Sequence, residues 1–394
     1  MTNKSIPAPI DYLVFSHLRW NFVFQRPQHL MTRCGKANRA FFWEEPIYGT
    51  ECAHVEIQEK SPGLHVAVPR LPDGISKEES CAIQQVLLAK LMVERRIWTP
   101  VLWYYTPMAC EFTRLVRAAA VVYDCMDELS AFRGAPPGMR AAEQHLFTIA
   151  DLVFTGGQSL YESKRRAHPS VHCFPSSIDR EFFASARRLQ KEPEDQQPIP
   201  RPRLGYCGVI DERMDLDLLS AIAKARPEWQ IVILGPVAKI SNSDLPRAAN
   251  IHYLGMRDYH SLPAYFSGWD VGLLPFAGNE ATRFISPTKT PEYLAAGLPV
   301  VSTSIHDVVT PYGTQGLVEI ADEPDQFVAA AERAMAERNS ASRLKKTDKF
   351  LSFMSWDSTW ARMTTLITQA VAQNSKRPTA TVPGGRVTDC FAAD

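Results

Sequence analysis

Arg283-Phe-Ile-Ser-Pro-Thr-Lys-Thr-Pro-Glu-Tyr-Leu-Ala-Ala-Gly-Leu-Pro-Val-Val-Ser302 reads as a short helix between two buried strands. Upstream lies the apolar run Val271–Leu274, and downstream Pro299–Ser302 begins the next strand. Ser286 and Thr290 are both good N-cap residues, and each is followed by a proline, which suits a first helical position whose N–H has no partner. Gly297 stops the helix and Pro299 prevents its continuation. The helix N-terminus faces the strand carboxyl ends. Free backbone N–H groups there, with Lys289 beside them, suit a diphosphate. Glu292, in the following turn, is placed to accept hydrogen bonds from two ribose hydroxyls. The same spacing also fits a plain strand–helix–strand unit with a solvated Lys and Glu.

The rhythm extends in both directions. Leu204–Cys207, Gln230–Leu234, Ile251–Tyr253 and Leu317–Ile320 complete a set of short apolar strands, followed by helices at Pro324–Glu337 and Trp356–Ala372. The first half repeats the pattern at Tyr12–Ser16, Ala40–Trp43, Leu64–Val68, Val101–Tyr105, Val121–Tyr123, Leu152–Thr155 and Val171–Phe174, with helical segments such as Ser80–Glu94 and Gly138–Ile149. Near-continuous apolar strands alternating with helices predict parallel sheets covered on both faces. Residues 187–203 are polar and Pro-rich, with no core-forming content, and read as a linker. The fold class is therefore α/β, with two doubly wound Rossmann-like domains facing each other across a cleft. Residues 1–186 form the first and 204–354 the second, 355–372 a closing helix, and 373–394 a disordered tail.

Composition narrows the function. Of 394 residues, 45% are hydrophobic and 22% charged, which excludes a disordered or fibrous chain. Lys+Arg and Asp+Glu both number 43, which argues against a nucleic-acid partner. No apolar run is long enough to cross a bilayer, and Met1–Ile10 lacks the apolar stretch of a signal peptide. The eight cysteines are scattered, without a C-x-x-C pair, so a reduced cytoplasm is expected and a metal site is not.

Glu292-Tyr-Leu-Ala-Ala-Gly-Leu-Pro-Val-Val resembles the nucleotide-sugar signature of GT-B-fold glycosyltransferases, nearest the bacterial group related to family 4 enzymes of polysaccharide and teichuronic-acid-type assembly. Many of those enzymes carry a Glu-x7-Glu pair. Glu292 matches the second Glu, but Phe284 stands where the first would be. Leu204-Gly-Tyr-Cys-Gly-Val-Ile-Asp-Glu-Arg213 is similar to the first strand and glycine turn of the family's second domain. Gly208 lets backbone approach a ligand there, and Arg213 can reach its phosphates. Segments at Ile233–Val237 and Ile251–Tyr259 resemble the wall against the nucleotide base, with Gly235, Pro236 and Tyr259 as candidates. Ser16–Leu30 and the closing helix also look like this group, so the likeness runs from about Asp11 to Ala372.

The first half supplies a second site. Asp124, Asp127 and Glu128 follow the strand Val121–Tyr123 at its carboxyl end. Glycosyl transfer needs a base or charge stabiliser near the attacking hydroxyl. The resemblance gives that role to Asp127 and makes Asp124 structural; the plainer alternative is a loop Asp capping the next helix. Arg26, His29 and Glu128 are candidates for the acceptor side. Asp215-Leu-Asp217 spells D-x-D but sits where a helix should begin, as a cap plus surface charge. The basic, amphipathic Leu88–Trp98 is either an ordinary helix or a peripheral contact with the inner face of an anionic membrane.

The resemblance implies a cytoplasmic, bacterial hexosyltransferase-like enzyme that moves a sugar from a UDP- or GDP-sugar, UDP favoured, to a hydroxyl of a glycan or lipid-linked acceptor in surface polysaccharide synthesis. It implies no tightly bound cofactor. Glu292 would hold the ribose. Ser286, Pro287, Thr288, Lys289 and Arg213 would hold the diphosphate, with Gly208 and Gly235 against the nucleotide, and Asp127, Lys289 and Arg213 would carry catalysis. Two rivals stay open: a nucleotide-sugar epimerase of the same fold, and a non-catalytic nucleotide- or glycan-binding protein.

Overall fold

A computed structural model describes residues 9–188 and 191–376. They form two sheets. The first has nine strands: β1 (Asp11–Phe15), β2 (Arg39–Trp43), β3 (Ile47–Tyr48), β4 (His54–Ser61), β5 (Leu64–Leu71), β6 (Val101–Tyr104), β7 (Ala120–Cys125), β8 (Leu152–Thr155) and β9 (Val171–Cys173). Their spatial order is β3-β5-β2-β1-β6-β7-β8-β9, all parallel except β4, which pairs antiparallel with β5. The second sheet is wholly parallel and has six strands: β10 (Arg203–Cys207), β11 (Gln230–Leu234), β12 (Ile251–Gly255), β13 (Val271–Leu274), β14 (Val300–Ser302) and β15 (Glu319–Ile320), in the order β12-β11-β10-β13-β14-β15.

Every strand expected from an apolar run is present, its ends shifted by at most a few residues. In the first sheet alternate residues of one strand enter different cores: Tyr12 and Val14 pack on one face, Leu13 and Phe15 on the other. That two-sided burial is why the strands read as continuous apolar runs. β4 carries no continuous apolar run because it is an edge strand, exposed and half-buried residues alternating along His-Val-Glu-Ile-Gln. The helix Ala341–Leu351 was hidden by its polar content, although Ser340 caps it by accepting the Arg343 N–H at 3.3 Å.

The expected linker needs correction. Ile199 and Gln196 are buried, and Arg203 already lies in β10. Gln196 donates to the Tyr265 carbonyl at 3.1 Å and accepts from the Trp269 indole at 2.8 Å. An amide that satisfies two buried polar groups at once is core-forming, and a count of apolar residues misses it. The closing helix, Trp356–Asn374, lies on the first sheet, with Trp356, Met363, Ile367 and Ala370 in its core. The tail expected from residue 373 begins inside this helix, and from residue 377 it lies outside the described residues.

Candidate functional site

The second sheet reverses direction at its centre. From β10 the chain builds outward through β11 and β12, then returns to place β13 on the other side of β10. A crevice opens beyond the carboxyl ends of strands at such a reversal, and open α/β sheets bind ligands there. Gly208 follows β10, Gly235 follows β11, and the loop from Pro275 to Thr288 follows β13. A cavity of about 380 Å³ is lined by Gly208, Gly235, Pro236, Tyr259 and Lys289, with Trp20 and Phe24 from the first half of the chain. A second, of about 120 Å³, is lined by Asp127 and Arg26 on one side and by Arg213, Ser286, Pro287, Thr288 and Lys289 on the other. Both include Phe24, Cys207, Gly208 and Lys289, so they are lobes of one cleft between the two sheets.

Glycine shapes the floor. Gly235 has φ +140°, and a Cβ there would lie 1.8 Å from the Gly208 carbonyl oxygen. The two turns can approach this closely only without a side chain, and the result is bare backbone facing the cavity.

The charges are paired before any ligand arrives. Lys289 lines both lobes and bonds Glu292 one helical turn away, whereas Glu292 is buried behind it and lines neither lobe. Burial lifts the Glu292 carboxyl above the usual glutamate range, while the carboxylate keeps the Lys289 ammonium protonated. Arg213 is clamped by Asp211, with contacts of 2.9 Å from Nε to Oδ1 and 2.7 Å from Nη2 to Oδ2. Its guanidinium is thereby fixed at the cleft wall. Asp127 faces it from the other sheet: burial raises its pKa to about 6, against the pull of Arg213 and Lys239. A carboxyl poised there can exchange a proton near neutral pH.

The expected cap is also corrected. The helix runs from Lys289 to Ala295 with Thr288 at the N-cap and no capping side chain. The Thr290 hydroxyl is buried without a partner among the described residues, and Ser286 spends its carbonyl on the Ser176 hydroxyl at 3.2 Å. The Thr290 N–H turns back to the Pro287 carbonyl at 3.1 Å, so a tight turn rather than a side-chain cap starts the helix, midway between the two expected cap positions.

Three acceptor-side candidates are committed elsewhere. Arg26 lines the smaller lobe, yet its guanidinium bonds the buried Asp124 at 2.8 Å and the Phe174 carbonyl at 2.7 Å, which leaves it as a structural clamp. Asp124 is its structural partner. His29 is buried, stacked on Trp356 at 4.6 Å and 3.3 Å from Asp179, and lines neither lobe. Burial lowers its pKa, so the neutral ring acts as an aromatic spacer. Glu128 pairs with Lys164 at 2.7 Å and accepts the Ser130 hydroxyl at 2.7 Å. Asp215 caps its helix by accepting the Leu218 N–H at 2.8 Å.

Other residues at the cleft carried little sequence signal. Phe24 stacks on Tyr259 at 4.4 Å across the two halves. Phe132, in the loop that begins at Asp127, meets the cations of Arg213 at 5.4 Å and Lys239 at 4.3 Å. Lys239 holds φ +61°, a left-handed conformation no motif announced. An aromatic a few residues beyond Asp127 was the one visible hint of Phe132.

Comparison with known proteins is consistent with this geometry. Residues 201–337 match the family model described as "Glycosyl transferases group 1". A Bacillus subtilis (strain 168) protein named "Putative teichuronic acid biosynthesis glycosyltransferase TuaH" is 27% identical over 257 residues, which cover 60% of this chain and 64% of that protein. The match therefore spans just under two thirds of the relative's length. Sucrose-phosphate synthase from Thermosynechococcus elongatus superposes with a TM-score of 0.73 at 15% identity, over 92% of this chain and 100% of that one. A trehalose-6-phosphate structure from E. coli, bound with UDP-2-fluoro glucose, superposes at 0.66 and 14% identity, over 91% of this chain and 99% of that one. The fold is GT-B, two Rossmann-like domains about a cleft.

Proposed function

We infer that this chain, whose residues 201–337 match the group 1 glycosyl transferase model, transfers a sugar from a nucleoside diphosphate donor to a hydroxyl acceptor. The observation that carries this reading is the convergence at one cleft of Arg213, Lys289 and glycine backbone from one sheet with Asp127 from the other. In such a reaction the acceptor oxygen bonds to the anomeric carbon and the bond from that carbon to the diphosphate oxygen breaks. The negative charge that collects on the diphosphate faces Arg213 and Lys289, and Arg213 is already oriented by Asp211, so it needs little reorganisation as the leaving group departs. Asp127 receives the acceptor proton or balances positive charge at the sugar. Glu292 meets the ribose once its bond to Lys289 relaxes toward the ligand. Gly208 and Gly235 let the nucleotide approach backbone, and Pro236 and Tyr259 flank its base.

A UDP-sugar is the favoured donor, in line with the UDP-2-fluoro glucose carried by the E. coli neighbour. A growing glycan of the cell surface is the favoured acceptor, in line with the name of the Bacillus relative. No helix among the described residues is long and apolar enough to cross a membrane. Val93 and Trp98 are exposed next to Arg95 and Arg96, and this basic, apolar patch suits the surface of an anionic bilayer. The test is direct. With UDP-glucose or GDP-mannose and a panel of glycosides, a transferase releases nucleoside diphosphate and lengthens a glycoside. An epimerised sugar formed from donor alone, or binding without release from any donor, would overturn the reading.

A further inference from the structure

Between the two walls of the smaller lobe lies a turn of bare backbone that the proposed function leaves unused. β8 ends at Thr155, which pairs with Cys125 of β7, and the helix Gln158–Lys164 begins after a gap of two residues. Gly156 and Gly157 fill that gap, each with its free side against a different part of the cleft. The Gly156 N–H donates to the Cys125 carbonyl at 2.9 Å. A Cβ on Gly156 would lie 2.5 Å from the Met126 carbonyl oxygen and 2.9 Å from the Met126 Cα. Met126 is the residue before Asp127. A Cβ on Gly157 would lie 2.8 Å from the Ser286 Cβ and would collide with the Asp307 carboxylate, both in the second domain.

Backbone conformation does not call for glycine at either position. Neither residue has a positive φ, and Gly157 is extended, at φ −167° and ψ 172°. Side chains are tolerated in such a backbone, so what the two positions demand is room. The packing runs without a gap from Asp127 through Met126, Gly156 and Gly157 to Ser286. Met126, Asp127, Gly156 and Ser286 all line the smaller lobe. Ser286 is also tied to the first domain, since its carbonyl accepts the Ser176 hydroxyl at 3.2 Å.

We propose that Gly156-Gly157 is a positioning spacer, which sets how far Asp127 stands from the loop that receives the diphosphate. The proposal rests on the glycosyl-transfer reading of the cleft. The glycines bring no functional group and act through Asp127 on one side and Ser286 on the other. Asp127 addresses the acceptor proton or the sugar, while the loop Ser286–Thr288 addresses the leaving diphosphate. Their separation decides whether both can engage one donor at the same moment. Non-bonded carbons rest about 3.5–4 Å apart, so a methyl on Gly156 must drive Met126 and Asp127 away by about 1 Å. A misplacement of that size typically lowers turnover about 10²-fold.

The test uses the full-length protein. Gly156→Ala should lower kcat about 10²-fold and leave UDP affinity within about two-fold of the parent. Adding Asp127→Glu, longer by one methylene, should recover roughly ten-fold of that loss, although Asp127→Glu alone should slow the parent. A folding defect by itself gives no such rescue. Gly157→Ala is read in the Asp307→Ala background, where the carboxylate it would strike is gone. If the glycine served only to admit Asp307, alanine there would change nothing. The spacer predicts that kcat still falls at least about ten-fold, because Ser286 remains in the way. If Gly156→Ala does not fold, this second pair decides. Crystal structures of the parent and Gly156→Ala with UDP should place Asp127 about 1 Å farther from Ser286 in the variant. Parental turnover in Gly156→Ala, no rescue by Asp127→Glu, no effect of Gly157→Ala beside Asp307→Ala, or an unchanged Asp127–Ser286 separation would each overturn the proposal. A parent that turns over no donor loses the transfer reading, and the crystallographic separation still decides the spacer.

Discussion

The carboxylate of Asp307, in the second domain, accepts the backbone N–H of Gln158, in the first, at 2.8 Å. Its other oxygen accepts the N–H of Ser159 at 3.0 Å. Gln158 opens a helix whose own N-cap, Gly157, has no side chain to offer. A Cβ on Gly157 would come within 2.1 Å of the Asp307 carboxylate. One domain therefore caps a helix of the other, and the glycine is what admits the cap.

Asp307→Ala should cost about 0.5–2 kcal/mol, the usual loss on removing an N-cap. Hydrogen exchange at Gln158 and Ser159 should quicken, and the two halves should separate more readily in solution scattering. Unchanged exchange at both amides would show that the contact holds nothing together.

Asp127→Asn should lower transfer about 10²–10⁴-fold while nucleotide binding persists. Because the parent carboxyl titrates near pH 6, and a base must be ionised, parental activity should rise through that pH and level off above it. Stability should move oppositely. A carboxyl whose pKa is raised by folding favours the folded state when protonated, and that contribution is lost as pH rises through about 6. The Asn variant should accordingly melt at or above the parental temperature at pH 8, with the advantage fading toward pH 4. A flat pH–rate profile through this range would remove Asp127 from the proton chemistry.

Lys289 and Glu292 should behave as a unit. Removing either charge alone leaves the other buried and unpaired, which typically costs about 3–5 kcal/mol. Lys289→Met with Glu292→Leu should recover much of that stability without recovering nucleotide affinity. Calorimetric titration with UDP checks the second part, and parental affinity in the double variant would place the nucleotide elsewhere.

Arg26→Leu and Asp124→Asn should each destabilise by about 3–5 kcal/mol, because each strands its partner in the core. Acceptor KM should stay within a factor of two or so at temperatures where the variants are folded. A large, selective rise in acceptor KM for Arg26→Leu would return it to the acceptor site.

The architecture was legible because both faces of each sheet are covered, so burial and strand are nearly synonymous along β1 or β11. The site was legible only in part. Lys289, Glu292, Arg213 and Asp127 follow strand ends, and strand ends can be located from sequence. Arg26 and His29 follow a strand end as well, but their partners Asp124, Phe174, Asp179 and Trp356 lie far along the chain. No local pattern distinguishes a cation offered to a ligand from one already satisfied across the fold. The same limit hid Gln196, whose polar side chain is buried by two partners some seventy residues away.

The helix Trp356–Asn374 sets a timetable for synthesis. It fills a groove on the first sheet, over Trp103 and Phe154, but leaves the ribosome only after the whole second domain. At typical elongation rates, roughly 10–40 s pass between the emergence of β9 and that of this helix. Throughout that interval the nascent first domain carries an open aromatic furrow, a natural target for chaperones that grip apolar surface. The last turns of the helix are thus a completion signal: until they dock, the cell handles an unfinished protein.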